Sequence, residues 1–278
     1  MSELETRVPA GACDSHVHLY DPRYPSCMPL PGHYTVDAYQ KLRSRFGFSR
    51  AVIVQPRAYG TDNSLVLDAV DRLGRDNTRG IVVIHPEITD NELQKLHDGG
   101  VRGVRFSLFS PDHAAVGFDM VEPVARRARA LGWHLQMHWT ADQIAAHKSL
   151  LDGLPVPLVF DHMGRLPPGR GVLHPAFDFV RGLAAEGRAW VKLSGGYLDS
   201  IAGRAARYAD MVPIARAWIE AVPERLLWGL DWPPVSKFHE LPDTDELFAL
   251  FGEWLPDARI RNRILIDNPA ALYGFDRA

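Results

Sequence analysis

Residues 120–139, MVEPVARRARALGWHLQMHW, hold the fold in miniature. Apolar side chains at Val121, Val124, Ala125, Ala128 and Leu131 recur at three- and four-residue steps, the stripe of a helix buried on one face. Gly132 stands where a helix-ending glycine belongs, and Trp133–Trp139 then reads as an extended run. Thr140-Ala-Asp-Gln follows as a capping box, opening a second helix that reaches Leu151.

The same alternation extends in both directions. Short apolar runs occur at Ala12–His18, Ala51–Pro56, Gly80–Pro86, Val101–Phe106, Trp133–Trp139, Val156–His162, Ala189–Ser194 and Leu226–Trp232. Several are apolar and β-branched throughout, as in Ala51-Val-Ile-Val and Ile81-Val-Val-Ile. Continuous rather than alternating apolarity marks parallel strands covered on both faces. Helical segments separate them, Ala205–Val222 and Thr244–Leu255 among the later ones. Eight strand–helix units in 278 residues predict one (β/α)8 TIM barrel spanning 1–278. The rival, an open doubly wound sheet, would carry Gly-x-Gly-x-x-Gly after its first strand, and this chain does not.

Composition narrows the function. The chain is 46% hydrophobic and 23% charged, with 31 basic and 34 acidic residues interspersed. No basic stripe invites nucleic acid, and no apolar run approaches the ~20 residues that span a bilayer. Met1–Arg7 is polar, without the basic and apolar regions of a secretory signal. Cys13 and Cys27 are too few for a disulfide framework. The cytoplasm is the expected compartment, and nothing in the sequence speaks against self-association.

The chemistry is legible where the apolar runs end, since barrel enzymes work at the C-terminal ends of their strands. The first run ends in His16-Val17-His18, whose imidazoles share one face by strand parity. The fifth ends in His138, with Gln136 and His134 on its face; the sixth ends in His162 and the eighth in Asp231. Burying these groups unpaired would cost several kcal/mol each, so they pair, hydrogen-bond or hold a metal. A purely structural polar network is the alternative. His33, His97, His113, His147, His174 and His239 read as loop or helix-surface residues, while His85 ends the third run and could reach the mouth. Trp139, Trp232 and Tyr197 follow functional strand ends and suit either pocket walls or core.

At this point the chain resembles a known family. Asp14-Ser-His-Val-His, Val159-Phe-Asp-His-Met-Gly-Arg, Trp228-Gly-Leu-Asp-Trp-Pro and Asn268-Pro-Ala-Ala-Leu-Tyr-Gly-Phe are similar to the amidohydrolase superfamily branch that contains 2-pyrone-4,6-dicarboxylate lactonase and related lactonases. Val54-Gln-Pro-Arg-Ala-Tyr-Gly-Thr-Asp-Asn resembles the segment after that branch's second strand. The resemblance implies a hydrolase that opens a small, carboxylated lactone from aromatic or sugar-acid catabolism. Carried over, His16 and His18 match the first-strand pair, His162 the sixth-strand histidine, Asp231 the last-strand aspartate and Arg105 an arginine that grips a substrate carboxylate. Two positions depart: Ser110-Pro111 stands where a second arginine is expected, and Leu198 where one is common.

These readings give a working mechanism. Asp231 is the expected general base, with His162 contacting substrate. One divalent ion, zinc, is expected on His16, His18 and His138 with Asp231 close enough to share it. The pyrone lactonase branch works without metal, and there the histidines would cradle the oxyanion. Arg105 is expected to bind a carboxylate, with Arg57, Tyr59 and Asn63 in the loop after the second run, and Arg165 past His162, as further substrate contacts. A metal-dependent decarboxylase of the same superfamily is the second reading, and a non-catalytic ligand-binding barrel a remote third.

Overall fold

The computed structural model describes residues 8–235 and 241–276; Met1–Arg7, the His113 side chain and His239 lie outside the described residues. Eight parallel strands pair in sequence order: β1 (Cys13–Val17), β2 (Arg50–Val54), β3 (Thr78–Val82), β4 (Val101–Ser107), β5 (His134–His138), β6 (Leu158–Phe160), β7 (Ala189–Lys192) and β8 (Leu226–Leu227). The ring closes where Ser15 N donates to Trp228 O (2.9 Å), Asp231 N to His16 O (2.9 Å) and His18 N to Trp232 O (2.7 Å). This is the expected (β/α)8 barrel, with helices between successive strands. No described helix is long and apolar enough to cross a membrane.

Two apolar clusters hold it together. The larger lies between strands and helices. The smaller joins Cys13, Val52, Ile81, Val159, Trp190 and Leu227 from six strands to Tyr273 and Phe275, which such a set can meet only inside the ring. Tyr273, at the end of the C-terminal helix, is fully buried there.

The predicted elements stand, with local shifts. The Thr140 capping box opens a helix as expected, but that helix breaks at His147 into Ala141–Ala146 and Lys148–Asp152. The helix expected over Ala205–Val222 begins only at Val212, because Arg207 and Tyr208 adopt left-handed backbone that no helix continues through. β3 starts and ends earlier than the apolar run. Beyond it, the Asn63 amide bonds Val83 through both N–H (3.0 Å) and C=O (2.8 Å), standing in for a neighbouring strand. The pairing of β1 with β2 slips by one residue between Asp14 and Val17, a bulge of the kind that re-aims side chains next to active sites.

Gly229 is dictated by the closure. A Cβ there would lie 2.4 Å from the His16 backbone nitrogen, so only glycine lets the β8 extension run against β1.

Candidate active site

His16 and His18 meet at one point above the bulge, Nε2 to Nε2 at 3.2 Å. Asp231 Oδ1 lies 3.6 Å from the first nitrogen and 3.8 Å from the second. Asp231 (φ 55°) and His162 (φ 51°) both hold left-handed backbone, which is strained for such residues and typical of functional sites. Asp231 is fixed by the Tyr197 hydroxyl, which donates to Oδ2 at 2.8 Å. His162 Nδ1 sits 3.1 Å from Ser194 Oγ. His18 Nδ1 sits 2.8 Å from the Val54 carbonyl, which only accepts, so this nitrogen carries the proton and Nε2 is bare.

That bare nitrogen tests the site for a metal. Either His16 Nε2–H donates to it, or two lone pairs face each other and need a cation between them. A point about 2 Å from His16 Nε2, His18 Nε2 and Asp231 Oδ1 exists, matching zinc's bond lengths to nitrogen and oxygen. The donor set therefore fits one divalent ion. A second cluster, His16, Asp161 and His162, brings ligand atoms close as well. There the Lys192 ammonium stands 3.6 Å from Asp161 Oδ1 and already supplies the positive charge.

His138 stands outside both clusters, which differs from its expected role as third ligand. Its Nδ1 faces Ser107 Oγ (3.0 Å) and an Arg105 nitrogen (3.2 Å), and its Nε2 accepts from Arg165 (2.9 Å). Both ring nitrogens are engaged by the protein. Gln136 also faces inward, one step deeper, between Lys192 Nζ (2.8 Å) and Asp161 Oδ2 (3.1 Å).

Beneath the histidines lies a buried charge network that sequence reasoning passed over. Asp161 Oδ2 accepts from Arg105 (3.2 Å) and Gln136, while Oδ1 has only loose neighbours, His16 Nδ1 at 3.4 Å and Lys192 Nζ at 3.6 Å. Burial pushes the Asp161 carboxyl up, but His16, Lys192 and Arg105 outweigh it and hold it well below the usual range. Burial lowers Lys192 to about 8. A signal was available: Lys192 sits inside an apolar run, Ala189-Trp-Val-Lys-Leu193, where a buried ammonium must have a partner.

Burial also sets the reactive groups. It raises Asp231 to about 7 against the opposing Tyr197 hydrogen bond. It lowers His18 to about 3 and drives His16, His138 and His162 well below their ordinary value, with the Lys192 and Arg105 charges adding to it. The imidazoles are neutral near pH 7. Because the Tyr197 bond stabilises the carboxylate, Tyr197→Phe is expected to move the acid limb of kcat/KM to higher pH while the fold persists. A limb that stays in place in a pH–rate profile would remove Tyr197 from this role.

A cavity of about 530 Å³ opens above the cluster. Asp231, His18, His138 and His162 reach it, and so do Arg57, Arg105 and Arg165. Two expected substrate contacts do not. Tyr59 is buried, its hydroxyl bonded to the backbone of Asp21 at both N–H (2.7 Å) and C=O (3.0 Å), and Asn63 serves Val83. His85 is exposed and bonds Ala115 O instead of reaching the mouth. His174, expected at the surface, is buried: it caps the helix Pro175–Ala185 and faces Asp142 at 3.0 Å. Trp139 packs against Phe118 and His147 in the core.

An amidohydrolase family model matches residues 13–275. The chain is similar to 4-sulfomuconolactone hydrolase of Rhizobium radiobacter, 37% identical over 96% of this chain and 91% of that protein. It is similar also to 2-pyrone-4,6-dicarboxylate hydrolase of Comamonas testosteroni, 34% identical over 98% of this chain and 93% of that one. A solved apo structure from Agrobacterium tumefaciens superposes with a TM-score of 0.87 at 29% identity, covering 98% and 96% of the two chains.

Proposed function

The chain belongs to the amidohydrolase family, and from that premise we propose that it hydrolyses a small lactone bearing an anionic substituent. One observation carries the reading: a carboxylate raised to about 7 faces, with neutral histidines, a cavity that three arginines also line. A base tuned near the working pH has the best balance of ionised fraction and proton affinity.

Asp231 orients a water and takes its proton as the oxygen attacks the lactone carbonyl carbon. Ser194 donating to His162 Nδ1 leaves the proton on Nε2, free to donate to the oxygen that gains charge. The ester C–O bond then breaks, and the proton held by Asp231 passes to the departing ring oxygen. Arg105 and Arg165, with His138 between them, hold the substrate's carboxylate. A zinc ion on His16, His18 and Asp231, when bound, would polarise the carbonyl and acidify the water.

A panel of carboxylated lactones in an unbuffered pH-stat tests this. One proton released per ring opened is expected. Proton uptake with release of carbon dioxide from an aromatic acid would assign the chain to the decarboxylases instead. Elemental analysis of the purified protein, with rates before and after chelation, decides whether zinc takes part.

A further inference from the structure

The three cavity arginines are not equivalent. Arg105 is neutralised by Asp161 at 3.2 Å. Arg165 is neutralised by Asp199 through two parallel bonds of 2.7 and 2.8 Å. Among the described residues no carboxylate lies within ion-pairing distance of Arg57, which follows β2 in the wall of the cavity. Of its five N–H donors, one has a protein acceptor there, the Ser110 carbonyl at a long 3.4 Å.

Arg57 is half-buried, and its affinity for its proton is reduced by that burial and by the Arg105 charge. It is not a solvated surface residue. Its guanidinium rests 4.7 Å from the centre of the Phe109 ring, with Arg165 5.5 Å from the same ring. Phe109 itself packs on His138 at 4.3 Å. Both guanidiniums rest against this ring, Arg165 paired with a carboxylate and Arg57 not. The Arg57 and Arg105 charges repel in this half-buried wall, and an anion bound at Arg57 relieves that repulsion.

We propose that Arg57, resting on Phe109 in the cavity wall, forms a second anion subsite that takes an oxyanion substituent of the substrate, carboxylate or sulfonate, in addition to the group facing Arg105. The subsite makes Arg57 the residue that selects doubly over singly charged lactones. This rests on the lactonase reading for its substrate, but the binding of non-reactive anions tests it separately.

The experiment has two arms. In the first, glutarate and butyrate are titrated into the wild-type protein by calorimetry; glutarate should bind at least tenfold more tightly. In the second, KM is compared for a butenolide bearing one carboxymethyl group and for the same ring carrying a further carboxylate or sulfonate. Arg57→Met should shrink the preference for the doubly charged ring by roughly 10- to 100-fold. Arg57→Lys, which keeps the charge and loses the fork, should restore part of it. Which of the two dianions gains most identifies the group. Equal binding of glutarate and butyrate, or an unchanged preference in Arg57→Met, would overturn the subsite. Absence of lactone turnover with dianion selectivity intact would overturn the lactonase reading and leave the subsite standing.

Discussion

Replacing Asp231 by asparagine should leave a folded protein that turns over its substrate about 10²–10⁴ times more slowly. Asparagine is the right test because it is isosteric and tolerates the left-handed backbone held at this position. It can still accept the Tyr197 hydroxyl bond but cannot take a proton from water. Unchanged thermal melting with the lost rate would separate chemistry from folding, and near-normal kcat would refute the assignment. The pH profile carries the same information. Asp231 acts ionised and sits near 7, so kcat/KM should fall about tenfold per unit as the pH drops below that value. A cation bound beside the carboxylate would shift this limb downward, so profiles of chelated and zinc-supplemented enzyme also read out the ion site.

Asp161→Ala should destabilise the fold by about 3–5 kcal/mol, measured by urea unfolding. The substitution strips the shared carboxylate from two buried cations, Arg105 and Lys192, which are 3% and 0% exposed. Asp161→Asn, which preserves hydrogen bonding to Arg105, should lose less. The sign of the pH dependence follows from Lys192. Its folded pKa, about 8, is already below the unfolded value, so the charged form is disfavoured by folding. Loss of Asp161 removes the negative charge that raised it and lowers it further. The variant should therefore be weakest at low pH and recover stability as the pH climbs and Lys192 gives up its proton. A loss below about 1 kcal/mol would mean that Gln136 and His16 alone satisfy the cations.

Much of this was legible from one dimension, and the failures have physical causes. Strand parity places His16 and His18 together, and continuous apolarity marks buried parallel strands. Asp231 was singled out as candidate base because a carboxylate ending such a run has few other uses, and the fold brings it to His16 and His18. Asp161 was missed because its partners come from four other strands, and the register that aligns Arg105 with Gln136 exists only in the folded sheet. His138 faces inward as parity requires, but its neighbours, not its direction, determine what it bonds. Tyr59 and Asn63 lie in a functional loop, and a loop position says nothing about which way a side chain turns. Both turn to backbone that would otherwise be unsatisfied.

The seam between β8 and β1 joins the last strand to the first: the Leu230 N–H reaches the Asp14 carboxylate across 216 residues of sequence. The same few ångströms bring Asp231 to His16 and His18. A half-made or clipped barrel would hold its histidines without Asp231, so with Asp231 as base the polypeptide should stay chemically mute until the circle is complete. Turnover then reports closure itself. Pairings so distant in sequence are slow to form, and on that reading the contact that finishes the ring is also the one that completes the site.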